Sequence, residues 1–279
     1  GTFDLRQVLC GVTLEKPSIY AGVGDATTVT VQLRDADSKQ PIAAGGVPVK
    51  IEVSSADAVL QLGEEEPAAS VVATTDDRGL AQVQLLAAAM KTAAVTVTAS
   101  VDTGATDPKV VALRKPGLKL SLAHPSLVGS IDDWTTVTAQ LHDGTTAQVP
   151  LAFEKARVTF ILGNLGSFAD STGALLPSPA TVETGSDGAA RVRFVATGVN
   201  NATAVNAPIQ AQLAGDTAVS INVPIQPLEV ELAAVGTTSL YNGVNDSTVI
   251  KGVLKSGGTA RAKADIPLRF EIDKPNVNG

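Results

Sequence analysis

Aromatic side chains are scarce in this chain: Phe, Tyr and Trp together make up 3% of 279 residues, with one Trp and two Tyr. Any packed core must therefore be built from Val, Leu, Ile and Ala, which the 44% hydrophobic share can supply. A single cysteine, Cys10, excludes an intrachain disulfide, and its expected place is as a small apolar residue at a domain edge. Two histidines, His124 and His142, are too few and too far apart in sequence to suggest a zinc centre or an acid–base pair. No nucleophile motif, metal-ligand helix or phosphate loop occurs. Gly22-Val23-Gly24 is a turn, because no helical pattern follows it. The chain is accordingly read as a non-enzyme with no required cofactor. The formal net charge of −7 comes without any basic run, which argues against nucleic acid and anionic membranes as partners. No stretch approaches the roughly 18 apolar residues of a membrane-spanning helix, so no membrane insertion is expected in this segment.

What is present is repetition. Thr75-Asp76-Asp77-Arg78-Gly79-Leu80-Ala81-Gln82-Val83-Gln84-Leu85 returns as Thr184-Gly185-Ser186-Asp187-Gly188-Ala189-Ala190-Arg191-Val192-Arg193-Phe194. Each copy is a polar turn ending in glycine, followed by an alternating strand with Ala81, Val83 and Leu85, or Ala190, Val192 and Phe194, on one face. Both glycines, Gly79 and Gly188, are expected at φ > 0, where a Cβ is disfavoured. Thr27-Thr28-Val29-Thr30-Val31-Gln32-Leu33 likewise returns as Thr135-Thr136-Val137-Thr138-Ala139-Gln140-Leu141. A turn-and-strand unit repeated at one domain length indicates tandem domains. Turn signals every 8–12 residues or so indicate β-sandwiches of about seven strands.

The predicted organisation is all-β. Residues 1–11 form a lead-in strand, or the end of a preceding domain, lying along a sheet edge. Domain 1 spans 12–115, with Pro17 splitting its first strand. Domain 2 spans 116–227. Residues 228–279 restart the pattern, Tyr241-Asn242-Gly243-Val244-Asn245-Asp246 echoing Tyr20-Ala21-Gly22-Val23-Gly24-Asp25, and cover half a sandwich. Half a sandwich leaves an apolar face uncovered, so this part is expected to be completed by a longer polypeptide or by another chain.

These residues resemble the bacterial immunoglobulin-like domains of the invasin and intimin type. That repeat carries an alternating Thr/Val strand, an Asp-Ala loop before a Val-x-Val strand, a Thr-Asp-x-x-Gly-x-Ala-x-Val-x-Leu turn and strand, and a closing Val-x-Val-x-Ala. Domain 1 matches over Gly22–Leu33, Asp35–Val53, Thr75–Leu85 and Val95–Ala99. Domain 2 matches in its second strand and over Thr184–Phe194, and departs over Asp143–Lys155. The resemblance implies tandem immunoglobulin-like β-sandwiches, two complete and one partial. It further implies an extracellular or cell-surface structural role, as a stalk, fibre or filament module of a surface protein or adhesin, with copies of itself or further domains of the same chain as partners. The alternative is a glycan- or receptor-binding accessory module of a larger secreted protein.

Candidate site residues are acidic and lie at loops. The pairs Asp35 with Asp37, Asp76 with Asp77, and Asp132 with Asp133 are either solvated turn residues or Ca²⁺ ligands. Strict alternation of strand direction would bring Asp187 to Asp132 and Asp133, making these three the best Ca²⁺ candidate. The same counting puts Trp134 at the junction of domains 2 and 3, packed on domain 3 near Ser256-Gly257-Gly258-Thr259. It also puts Asp25, Asp76 and Asp77 against His142–Thr146, including Asp143, and against the Asn200–Asn206 loop, at the junction of domains 1 and 2.

Overall fold

The computed structural model describes residues 6–89, 91–102, 104–199, 203–213, 218–236, 247–256, 259–260, 266 and 268–271. Every regular element among them is a β-strand.

The first sandwich contains β1 (Val8–Leu14), β2 (Ser18–Tyr20), β3 (Ala26–Asp35), β4 (Pro48–Val53), β5 (Ala58–Gln61), β6 (Ser70–Thr74), β7 (Leu80–Ala87), β8 (Ala94–Ser100), β9 (Ala105–Asp107) and β10 (Lys109–Arg114). One sheet runs β5-β7-β3-β1-β9 and the other β2-β10-β8-β4-β6. The ten residues of β3 alternate strictly between half-buried and buried, which places Val29, Val31 and Leu33 in the core. Opposite them lie Val49, Ile51, Val95, Val97 and Val111, each at most 1% exposed. Small β-branched side chains suffice here because two twisted sheets pack only about 10 Å apart.

The second sandwich repeats the plan with β11 (Gly117–Leu122), β12 (Leu127–Val128), β13 (Trp134–His142), β14 (Arg157–Leu162), β15 (Ser167–Ala169), β16 (Leu175–Leu176), β17 (Ala180–Glu183), β18 (Ala189–Val195), β19 (Val205–Leu213) and β20 (Val219–Gln226). Its sheets run β11-β13-β18-β15-β16 and β12-β20-β19-β14-β17. Three of the six phenylalanines, Phe160, Phe168 and Phe194, fill its centre at 1% exposure or less. The aromatic economy of the chain is thus spent largely on one core. A third, three-stranded sheet comprises β21 (Glu229–Val235), β22 (Val249–Ser256) and β23 (Thr259–Ala260).

The proline split has a topological meaning. Before Pro17, β1 runs antiparallel to β3 in one sheet; after it, β2 runs parallel to β10 in the other. The polypeptide crosses between sheets where proline removes a ladder donor. His124-Pro125-Ser126 does the same between β11 and β12. The crossing is pinned twice over by equivalent side chains. Thr27 Oγ1 accepts from Lys16 N at 2.8 Å and Thr135 Oγ1 from His124 N at 2.8 Å. The Asp25 carboxylate accepts from Tyr20 N at 2.9 Å, and Asp133 from Val128 N at 3.0 Å.

Of the lead-in expected over residues 1–11, residues 1–5 lie outside the described residues, and the part that is described needs correcting. Val8–Gly11 are the first residues of β1 and pair with Asp35–Gln32, and β9 covers their other side in parallel. The strand is therefore interior to its sheet. Cys10 is fully buried in the core of the first sandwich, not at an edge, and burial pushes its thiol pKa up, so it packs as a hydrophobe.

The repeated glycine turn holds as expected, with φ of 74° at Gly79 and 71° at Gly188. In each copy the N–H of a leucine near the end of the neighbouring strand, Leu33 or Leu141, donates to the glycine carbonyl at 3.0 Å. The Gln32 and Gln140 amides donate to the turn carbonyls. Thr75 and Thr184 each donate to a backbone carbonyl at 2.6 Å, Ala44 O and Phe153 O, and accept a backbone N–H at 3.0 Å.

A second left-handed pair recurs less obviously. Gly22 and Gly24 have φ of 75° and 74°; their counterparts Ser130 and Asp132 are not glycine yet have φ of 66° and 49°. Aspartate tolerates this region better than serine does. Asp132→Gly is therefore expected to stabilise the second sandwich by up to about 0.5 kcal/mol, read from urea midpoints at constant m.

Candidate functional site

Among the described residues no group of metal-ligating side chains gathers, and the best-built feature is the junction between the two sandwiches. Only Lys115 and Pro116 separate β10 from β11. The loop that follows β2 carries the contact. Asp25, 5% exposed, holds its start by accepting Tyr20 N and pairing with Lys16 Nζ at 3.0 Å. Gly22 and Gly24 then turn Val23 outward from its own sandwich. Val23 is 2% exposed and belongs to the hydrophobic cluster of the second sandwich. Tyr20 packs on the same cluster, its ring 5.8 Å from that of Phe153 and tilted by 60°.

The receiving side is shaped by close backbone approach. His142, 8% exposed, lies over Gly117, where any Cβ would collide with the imidazole ring. Its Nδ1 accepts from Gly144 N at 3.1 Å. Gly144 has φ of 73°, and a Cβ there would sit 2.5 Å from Lys115 O, so the loop presses directly on the linker. Asp143 organises that loop by accepting from the Thr145 hydroxyl at 2.8 Å and from Thr145 N and Val149 N, both at 3.1 Å. Burial raises its pKa, but these hydrogen bonds and the neighbouring His142 outweigh burial and hold the carboxyl below its ordinary value. The junction can fix an interdomain angle, and among the described residues no group of three or more His, Cys, Asp or Glu gathers there.

The other sequence-predicted residues fall elsewhere. In β3 and β7, Gln32 pairs with Leu80 and Ala26 with Leu86. Asp76 and Asp77, just before Leu80, thus lie at the opposite end of the first sandwich from Asp25 and from the junction. Asp76 serves its own turn, accepting from Arg78 N and Leu80 N at 2.9 Å. The Ca²⁺ triad is separated in the same way. Gln140 pairs with Ala189 and Trp134 with Val195, so Asp187 lies at the domain 1 end of β13 while Asp132 and Asp133 lie at the other. At about 3.3 Å per residue these ends are roughly 20 Å apart. Asp187 instead pairs with Arg191 at 2.5 Å, and Asp133 holds Val128 N. Among the described residues no group of three or more His, Cys, Asp or Glu could hold a metal ion. The Asn200–Asn206 loop was also expected at the domain 1 junction. Asn200, Asn201 and Ala202 lie outside the described residues, but the flanking Val199 accepts from Ser130 N at 2.8 Å, at the far end. Seven-strand alternation fails in the two sandwiches for two different reasons. In the first, β6 is antiparallel to β4 and β5 to β7, so the consecutive strands β5 and β6 run the same way on opposite sheets. In the second, the extra strand β16 lies between β15 and β17, so these two run the same way and every later strand is reversed relative to a seven-strand count.

Trp134 begins β13 at the end where β20 leaves, Gly129 N donating to Gln226 O at 2.9 Å. The residue is 38% exposed, and its ring stands edge-on to His124 at 6.3 Å and lies 3.7 Å beneath the Arg193 guanidinium. Both partners belong to the second sandwich, and the cation–π contact accounts for the ring's placement. Gly257 and Gly258, half of the loop expected against it, lie outside the described residues. So does Tyr241–Asp246. The junction residues Tyr20, Val23 and Phe153 were not singled out from sequence. A signal was available: an apolar residue between two left-handed positions must point away from the sandwich that carries it.

Asp35 shows what the remaining acidic loop does. It accepts from Ser38 N at 2.7 Å, the Ser38 hydroxyl at 2.9 Å and Asp37 N at 3.1 Å. The Ser38 backbone bond first, then its hydroxyl, lower the carboxyl to about 2. A depressed folded pKa contributes stability that is present above the unfolded value of about 3.9 and lost as pH falls through the folded one. Acid titration of the first sandwich is expected to show this loss between about pH 4 and 2, and Asp35→Asn to flatten it in that window while lowering stability at neutral pH.

No family model matches the chain, and no curated protein matches it in sequence. Among solved structures it is similar to the Yersinia pseudotuberculosis adhesin InvE, at 16% identity and a TM-score of 0.35, over 78% of this chain and 58% of that one. It is similar to invasin, a bacterial integrin-binding protein, at 18% identity and a TM-score of 0.38, over 88% and 46%. A β-glucuronidase of glycoside hydrolase family 2 is matched at 14% identity and a TM-score of 0.33, over 84% and 22%. The chain thus spans about half the length of the two adhesins. What the strand pairing itself shows is an all-β chain of tandem sandwiches with the immunoglobulin-like pattern of a first strand shared between two sheets.

Proposed function

We propose that this chain is a non-catalytic spacer, a rigid rod segment of an extracellular stalk or fibre on a bacterial surface. The observation that carries the reading is the burial of Val23 in the neighbouring sandwich's core beside a two-residue linker. Freely tethered domains would leave such a residue on their own surface, exposed. A spacer needs a fixed angle between modules and little else, and the junction supplies that with Tyr20, Val23, Phe153, His142 and Gly144. Residues 228–279 fit the same reading as part of a third module, complemented by strands from the same or a neighbouring chain. β21 pairs antiparallel with β22, as β11 does with β13, while Val230 and Leu232 remain 47% and 59% exposed.

The test is a distance measurement across the junction. Spin labels at Val72→Cys and Leu175→Cys occupy exposed sites, and the native Cys10 is buried beyond labelling. A single narrow distance distribution supports the rod. A distribution as broad as that of a flexible two-domain tether refutes it.

A further inference from the structure

The first sandwich carries a hollow of about 490 Å³ on the outer face of its β1-β9 edge. It exists because Gly11 has no side chain: the Arg34 side chain lies across the vacant position, its Nε 2.9 Å from where a Cβ would be. Lys39, Lys109, Thr13, Thr106 and Asp107 complete the rim. Arg34 has no ion-pair partner among the described residues, and its one side-chain hydrogen bond is a long contact of 3.5 Å to Lys39 O. Its Nε is buried with no acceptor. A buried guanidinium donor left unsatisfied is costly, and such groups mark strain or an absent ligand. Asp107 is paired with Lys109 at 3.2 Å, so the hollow is net positive in a chain of net charge −7.

The hollow is not a general property of this fold. In the second sandwich Lys119, opposite Gln140, stands where Gly11 stands opposite Gln32. Among the described residues no strand pairs with the other side of β11. The feature therefore arises from residues particular to domain 1.

We propose that this hollow binds the carboxylate of an acidic sugar residue, with Arg34 as the principal anion contact. The volume falls in the range of small-ligand sites. The guanidinium matches a planar carboxylate in geometry and charge. Thr13, Thr106 and Asp107 offer a donor and acceptor set for sugar hydroxyls. With no aromatic side chain in the lining, a neutral sugar would have no ring to stack on, so charge must carry recognition. This site is independent of the rod reading and stands whether or not the junction is rigid.

The test is an NMR titration of the full chain, at low ionic strength, with galacturonic acid, its methyl ester and galactose. Saturable shifts at β1, β3 and β9 are expected with the acid alone. Arg34→Gln should weaken binding about tenfold or more. Gly11→Ala, which displaces Arg34, and Lys109→Met, a rim change that removes only a half-exposed ion pair with Asp107, should weaken it too; the last keeps the test decisive if Arg34→Gln lowers the melting point. Equal binding of acid and ester, unchanged binding in all three variants, or no saturation with the acid would overturn the proposal. Inorganic sulfate displacing galacturonic acid with equal affinity would also overturn the sugar assignment, leaving a nonspecific anion hollow.

Discussion

Gly188→Val is expected to destabilise the second sandwich by about 4 kcal/mol, enough to leave it largely unfolded near room temperature if it began near the lower end of domain stabilities. Two effects combine. At φ of 71° a β-branched side chain is strained by itself. A Cβ at this position would also fall well inside contact distance of Leu151 O, with Ala152 Cα close behind. Backbone cannot step aside there, because the same turn is tied by Gln140, Leu141 and Thr184. Since the Cβ alone causes the collision, Gly188→Ala should cost most of the same amount. Gly198→Ala is the control: its φ is 69°, yet nothing lies within 4 Å, so only the left-handed penalty of about 1 kcal/mol applies. Urea unfolding followed by Trp134 fluorescence reads the second sandwich directly. Equal effects at Gly188 and Gly198 would show that close approach to Leu151 contributes nothing. Gly79, with Ile42 O in the same place, should behave as Gly188 does, but in the first sandwich.

Val23→Asp is expected to uncouple the two sandwiches while leaving each folded. The valine is 2% exposed and sits in the neighbour's hydrophobic cluster, so a carboxylate there is buried without a partner. The sandwich that carries Val23 loses little, because the residue is not part of its core. The expected loss is about 2–3 kcal/mol of interdomain contact, comparable to fully burying one apolar side chain together with the cost of an unpaired polar group. In the labelled chain the distance distribution should broaden, with far-ultraviolet dichroism unchanged. Val23→Ile, which keeps the apolar contact, should keep the narrow distribution. If Val23→Asp left the distribution narrow, the junction would owe its rigidity to the linker and His142 alone, and the loop would be incidental.

The elements legible in the sequence share a physical origin in local sterics. The left-handed state at Gly79 and Gly188 follows from the absence of a Cβ within a short turn. The inward faces of β3, β7 and β13 follow from side-chain alternation along a single strand. Each depends on residues within a few positions of one another, and a repeat at 109 residues states it twice. The division into two sandwiches is legible for the same reason, since each copy holds one full set of apolar faces.

What only the tertiary structure decided is which ends of strands meet. β5 and β6 run in the same direction because each pairs with a different sheet, and nothing in their short sequences encodes that choice. That one unreversed connection was enough to send Asp76 and Asp77 to the wrong end of the first sandwich, and the short extra strand β16 did the same to Asp187 in the second, assembling a Ca²⁺ triad from residues roughly 20 Å apart. Val8–Gly11 joined β1 because β9 folds back beside them, a contact between residues nearly a hundred positions apart. Val23 reads in sequence as one apolar residue in a glycine turn; its burial belongs to another sandwich, whose surface forms only when the loop after His142 presses on Lys115. Alternation and turn chemistry are properties of a segment, and so the sequence by itself determined the strands and the repeat. Junction, edge and end are relations between segments, decided by the packing of whole sheets.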